Sequence, residues 1–368
     1  MTKSIENIVS FPVNAQRNSF FGALSSILLY RNAYTEDTPF FCGKYQRNCI
    51  RCGSCGNESF LHKHHLKIYQ YLITITGCAY FWIDKEIGNS YDRQYIADEF
   101  SETALDRLSL ALYASGYHYE SMNKTTEETI LFDRIKQSIE EKQPVLIKLS
   151  LGDLWAVITG YNDDKNLPYL MKFRHSPQLN KDWYNKLSNI VFITDKYDST
   201  ISLAESLNHM IHHLNTSNRN KLEQKIYQKL DTELDGKKLG KWLNQINGLA
   251  IETRWHASEC YRNTLVSMFD NNQYKKLLLE ASDLHLHFHD QAWKIWALLG
   301  VSPQTHYCVP HNISELLDKT SVRVELKLLF QELFTIDSQV SHLLQECLYL
   351  LNHSQVYVKQ SGGSKDIL

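Results

Sequence analysis

Residues Gln143 to Asp164, QPVLIKLSLGDLWAVITGYNDD, constrain the fold more than any other part of the chain. Pro144 ends the charged helical segment before it, because its ring removes an amide donor and blocks the preceding turn. Val145 to Leu149 then read as a buried strand, a mostly aliphatic run without a turn former. Leu151-Gly152-Asp153 is a short turn, and Leu154 to Tyr161 resumes with β-branched and aromatic residues until Asn162-Asp163-Asp164 closes the run. Two such strands so close together predict an antiparallel hairpin.

At 368 residues, 43% hydrophobic and 12% aromatic, the chain can bury the cores of two globular domains. A net charge of -2 with no basic run supplies no field for a nucleic-acid backbone, so no nucleic-acid role is expected. The N-terminal MTKSIENIVSFPVNAQ lacks the apolar core of a signal peptide. Ile68 to Ile83 is too short, and too interrupted by Gln70, Thr74, Thr76 and Gly77, to span a bilayer. A cytoplasmic protein with no membrane role is expected, its eight cysteines serving as thiols or metal ligands rather than disulfides.

In chain order, Phe20, Ala23, Leu24, Ile27 and Leu28 have helical spacing, and Ser19 is placed to cap that helix. Phe41 to Asn57 then carries Cys42, Cys49, Cys52 and Cys55, the last three at consecutive C-x2-C spacings. Zinc would use two thiols of that run with Cys42 and one of His62, His64 or His65. Iron and sulfur, for which the run supplies three corners of a cubane, stand second to zinc, and reduced thiols in a loop are the equal alternative to any metal. Leu66 to Asp84 is core, changing from helical to strand-like composition around Gly77. Glu102 to Tyr117 forms an amphipathic helix stopped by Gly116, and Thr125 to Lys142 forms another with Ile130, Ile135 and Ile139 inward. Strands at Tyr169 to Phe173 and Asn189 to Thr194 complete an α+β order.

From about Tyr197 the pattern is helical. Leu203, Leu207, Met210 and Leu214 make one stripe, and Leu222, Ile226 and Leu230 resume it after a polar break at Asn215 to Asn220. Two longer faces follow, Leu277 to Leu299 and Leu329 to Leu350, and predict a helical bundle. His285 and His289 share a helical face, but no Glu-x-x-His motif accompanies them. They read as a polar stripe rather than a metal pair. Trp255, Trp293 and Trp296 are expected to fill core or domain interface.

The strand WAVITGYND behind PVLI, with Ser19 placed before Ala23-Leu24, resembles papain-like, C39-type cysteine-peptidase folds. The succession through ITGCAYFWI, the two helices and the hairpin is similar to the N-terminal domain of the butirosin biosynthesis protein H family. That resemblance spans most of residues 10 to 200. It implies a papain-like α+β domain, here 1–197, followed by an all-α domain, 198–360, and a flexible tail, 361–368. The family moves an acyl group from an acyl carrier protein onto an antibiotic amine.

The resemblance also assigns the three triad positions. Its Cys precedes Ala-Leu by three variable residues, which puts Ser19 at the nucleophile position. Its His stands six residues before the Gly of the Gly-Tyr pair, which is Leu154 here. Its Asp-Pro falls on Met171-Lys172-Phe173-Arg174. All three catalytic groups are therefore replaced, although His62, His64, His65, His118 and His175 are substitute bases by sequence proximity. Trp155 and Asp153, flanking Leu154, are the candidate ligand-binding residues.

Two functions follow from this pattern. One is a non-catalytic relative that binds an acyl carrier or peptidyl carrier protein with its bound intermediate, or a biosynthetic partner enzyme. The other is an active acyltransferase that uses Ser19 or another group. A metal-dependent protein using Cys42 to Cys55 is a third alternative.

Overall fold

The computed structural model describes residues 2–6, 8, 19–33, 41–42, 47–48, 60–82, 104–149, 154–171, 177–197, 201–215, 217–305 and 307–353. Contacts divide the chain into two units, one built on Met1–Leu72 with Gln94–Ile201 and the other on Ile73–Arg93 with Ser202–Ser361. The segment Ile73–Arg93 thus groups with the helical half, whereas the sequence division at 197/198 leaves it with the first domain.

The first unit is an antiparallel sheet with helices. Its strands are β1 (Thr2–Ser4), the short pair β2 (Phe41–Cys42) and β3 (Arg47–Asn48), β4 (Tyr117–Asn123), β5 (Val145–Leu149), β6 (Leu154–Asn162), β7 (Leu167–Met171), β8 (Gln178–Leu179) and β9 (Leu187–Lys196). The main sheet runs β4-β9-β5-β6-β7-β8, and β1 joins β6. The expected hairpin is present, with Val145 opposite Ile158 and Leu149 opposite Leu154. All five β5 residues are buried, because β9 and β6 flank the strand while α1 and α4 lie against it. Beyond Val145, β1 takes over the edge of β6, with Ser4 opposite Gly160. A Cβ at Gly160 would stand 2.5 Å from the Lys3 carbonyl, so the glycine of the Gly-Tyr pair is what lets β1 approach.

Four helices belong to this half of the sequence: α1 (Ser19–Ala33), α2 (Phe60–Ile75), α3 (Ala104–Ser115) and α4 (Glu128–Glu140). In α1 the residues Ala23, Leu24, Ile27 and Leu28 are wholly buried, as the periodicity predicts. In α4 the inward stripe is Leu131, Phe132, Ile135 and Ile139, while Ile130 is 52% exposed, so the expected inward Ile130 is corrected to an outward one. The strand β4, YHYESMN, was not legible because it lacks an aliphatic alternation. It pairs with β9 alone among the described residues and half of it faces solvent.

The helical unit contains α5 (Leu203–Leu214), α6 (Ser217–Thr232), α7 (Gly236–Asn263), α8 (Asn272–Leu298), α9 (Ile313–Leu317) and α10 (Thr320–His353). Ser202 and Glu205 form a reciprocal capping box at α5, and Asp235 caps α7 through the Lys238 amide. Helix ends are then tied to neighbouring elements by the buried Arg219 and the half-buried Arg323. Arg219 donates to the Leu214 carbonyl at the end of α5 at 2.9 Å and to the Phe334 carbonyl of α10. Arg323 donates to the Leu230 and Glu233 carbonyls at the end of α6, both at 2.9 Å. The bonds to Leu214, Leu230 and Glu233 satisfy carbonyls of the kind every helix leaves orphaned at its C-terminus, while Phe334 lies in the middle of α10. No helix among the described residues is long and apolar enough to cross a membrane.

Gly77 separates α2 from a single 3-10 turn, Cys78–Tyr80, where a strand was expected. The reason is chemical: the carbonyls of Ala79, Tyr80 and Phe81 all accept from Arg254 of α7, at 3.0 to 3.1 Å, rather than from a neighbouring strand.

Candidate functional site

Ser19 opens α1 at the point where β6 begins. Its hydroxyl oxygen accepts the Trp155 amide at 3.0 Å, and Ser19 is 2% exposed. The next helical residue, Phe20, packs its ring 5.1 Å from the buried Trp155 ring, so a hydrogen bond and an aromatic contact fasten the start of α1 to the start of β6. Ser19 and the residue following Leu154 are therefore brought together. Leu154 pairs with Leu149 through its backbone. Its side chain lies outside the described residues, as do Asp153 and the positions Lys172, Phe173 and Arg174.

The substitute bases fare unequally. His65 on α2 is fully buried, with Nε2 3.0 Å from the Gly22 carbonyl and 3.0 Å from the Ser26 hydroxyl. A carbonyl only accepts, so Nε2 carries the proton, and the Ser26 hydroxyl in turn donates to the Gly22 carbonyl at 3.2 Å. The imidazole nitrogen that meets this serine is a donor and cannot deprotonate it. The trio fastens α2 to α1. His118 is an exposed residue of β4, its ring tilted against Tyr197 at 3.6 Å between ring centroids. In the sheet β4 is three strands from β6, roughly 14 Å at ordinary strand spacing. The side chains of His62 and His64, and all of His175, lie outside the described residues.

Lys148 is a residue that reading the hairpin for its fold passed over. It is 7% exposed and stands directly opposite Trp155 on β5, with Asn189 of β9 on its other side. Residues directly opposite in an antiparallel pair share a face, so Lys148 belongs to the Trp155 side of the sheet. The signal for it was a single cation inside PVLIKL.

Of the candidate metal ligands, Cys42 lies in β2 with Arg47 opposite, while Cys49, Cys52 and Cys55 are outside the described residues. Among the described residues no group of three or more His, Cys, Asp or Glu side chains could hold a metal ion. Cys78, Cys260, Cys308 and Cys347 are thiols. The His285 and His289 stripe separates: His289 is partly exposed and accepts the Trp293 indole N–H at 3.0 Å, whereas His285 is fully buried. The reading of the pair as one polar stripe is thus corrected for His285.

His285 belongs to a polar centre inside the helical unit. Arg254, Asp337 and His285 are each 0% exposed. Arg254 donates from Nη2 to Asp337 Oδ2 at 2.7 Å and from Nε to Oδ1 at 3.3 Å, and the Trp82 indole N–H reaches Oδ2 at 2.8 Å. His285 stacks on Tyr261, whose hydroxyl is 2.5 Å from that of Tyr80. Burial pushes the Asp337 carboxyl up, but the Arg254 charge and the bonds to it outweigh burial and hold it well below the usual carboxylate range. Burial raises the Tyr80 and Tyr261 phenols far above their ordinary range and pushes the Cys260 thiol up to about 12. Burial also lowers His285, with the Asp337 carboxylate opposing.

Comparison with protein-family models, with curated proteins and with solved structures finds no match.

Proposed function

We propose that the chain is a non-catalytic, papain-like relative of carrier-dependent acyltransferases. It binds a carrier-protein-bound acyl or peptidyl intermediate, or a partner enzyme of specialised metabolism, without transferring the acyl group. The observation that carries the reading is the buried Ser19 hydroxyl accepting the Trp155 amide at 3.0 Å. At the position where the resemblance calls for a nucleophile, the oxygen is a buried strut between α1 and β6. A serine becomes a nucleophile through a base that removes its proton. The described histidines nearest in sequence are committed elsewhere, His65 as a donor to Gly22 and His118 three strands away. Lys148 and Trp155 stand side by side on the sheet, and the binding reading assigns them the anionic and apolar parts of the carrier-bound ligand.

Titration calorimetry of the full chain with an acyl carrier protein bearing an acyl-phosphopantetheine arm tests this. The expected outcome is saturable binding, weakened by Lys148→Met, with no thiol released from the carrier. Absence of binding to both acyl and peptidyl carrier proteins would sink the carrier arm of the proposal. Thiol release that disappears in Ser19→Ala would replace it with the active acyltransferase.

A further inference from the structure

We propose that the polar centre of the helical unit is an acid-sensitive latch: it holds Cys78–Trp82 on α7 and α10 at neutral pH and releases that segment when His285 takes up a proton. This goes beyond the binding function and does not depend on it. The hold is unusual in its concentration. One guanidinium, Arg254, carries the carbonyls of three consecutive residues, and the fourth residue, Trp82, hangs from the same carboxylate through its indole. The three carbonyls and the indole thus converge on the Arg254–Asp337 pair, beside the Tyr80–Tyr261 hydroxyl contact and the packing of Phe81 on His213 and of Trp82 on Phe288 and Phe334.

His285 stands at the weaker side of that pair. Asp337 Oδ2 is filled by Arg254 Nη2 and Trp82, whereas Oδ1 holds Arg254 Nε only at 3.3 Å, with His285 Nε2 3.6 Å away. Among the described residues neither ring nitrogen of His285 has a partner within hydrogen-bond distance. Around it α7 presents Arg254 and Tyr261, α10 presents Asp337, and the clamped segment presents Tyr80. Arg219 of α6 acts on the same carboxylate, and His213 of α5 lies against Phe81. Asp337 is the acidic side chain that acts on His285, and Glu223 of α6 faces Arg219, so with neutral His285 the two carboxylates balance the two guanidinium groups.

A proton on His285 breaks that balance. The imidazolium competes for Oδ1 and leaves a surplus cation in a site with no exposed surface, which burial disfavours. Water relieves it most cheaply where the cover is least regular. Three long helices wall the site, but Cys78–Trp82 is one 3-10 turn and two extended residues. Opening it hydrates both cations without parting α7, α8 and α10, the pattern of a local rather than a global transition. Burial lowers His285 in the closed form, so the opened form binds the proton more readily. The latch is therefore at full strength above the ordinary histidine range, about 6.5, and weakens as pH falls below it.

Hydrogen exchange of the full chain at about pH 7.5 and about pH 5, corrected for intrinsic amide rates, reads the latch directly. Protection of residues 79–82 should fall by up to about tenfold per pH unit below the histidine range, the most that one proton can give. Protection in α7, α8 and α10 should persist, and His285→Gln should keep the segment protected at both pH values. His285→Phe is the second variant should the glutamine not fold. Unchanged protection in the parent chain, an equal loss in the His285 variants, or a loss that appears only together with α7, α8 and α10 would each overturn the latch.

Discussion

Asp337→Ala should cost the helical unit about 3–5 kcal/mol, the usual penalty for breaking a buried ion pair from one side. The change leaves the Arg254 guanidinium, 0% exposed, with three carbonyls and no counter-charge, and it strips the Trp82 indole of its acceptor. Arg254→Met should be as damaging from the other side, since it strands a buried carboxylate and removes the donor of the Ala79, Tyr80 and Phe81 carbonyls. Combining Arg254→Met with Asp337→Ala removes both charges at once. The double variant should therefore be more stable than the summed single costs predict, by a coupling of about 1–3 kcal/mol. It should not regain parental stability, because the three carbonyls remain without their donor. Denaturant titration of the four proteins measures the cycle, and strict additivity would show that the pair does not act as a unit.

Gly77→Ala should cost roughly 2–4 kcal/mol, the sum of two separable effects. At φ +76 an L side chain is strained whatever surrounds it, and the new Cβ would stand 1.9 Å from the His213 ring. That ring has little freedom to withdraw, being packed edge-on against Phe81 at 4.8 Å. Adding His213→Ala to Gly77→Ala should return the steric part, roughly 1–3 kcal/mol, and leave the backbone part. The same denaturant titration reads both, and a Gly77→Ala protein as stable as its parent would mean that this turn is not under the constraint described.

What was legible in the sequence follows from which patterns are local. The hairpin, the α1 stripe and the long faces of α8 and α10 repeat at fixed periods and were readable as such. The stretch after Gly77 was misread because its composition resembles a strand, while its conformation is set by Arg254, more than 170 residues later. Asp337 and His285 were hidden for a related reason. Each occupies an inward position of its helix, between Leu333 and Val340 and between Ala281 and Phe288, where only the partner from another helix explains a polar residue. Ser19 was found through its place before Ala23-Leu24, but the donor that occupies it is a backbone amide, which no side-chain pattern announces. Lys148 was visible as a lone cation in an apolar strand and was absorbed into the strand assignment.

The central claim, that Ser19 is a strut and not a nucleophile, meets its most direct test in intact-mass spectrometry after incubation with an acyl-thioester carrier. The account predicts an unmodified mass for the parent chain and for Ser19→Cys. The introduced thiol has no imidazole at position 154 and stays mostly protonated near its reference pKa of about 8.5. The start of α1 contributes only about 0.3–1 kcal/mol toward the thiolate, less than one pKa unit. Leu154→His added to Ser19→Cys should remain unmodified too, since residues 171–174, Met-Lys-Phe-Arg, supply no carboxylate to orient the ring. An acyl adduct on the parent protein that is lost in Ser19→Ala would contradict the account and make the chain an acyltransferase.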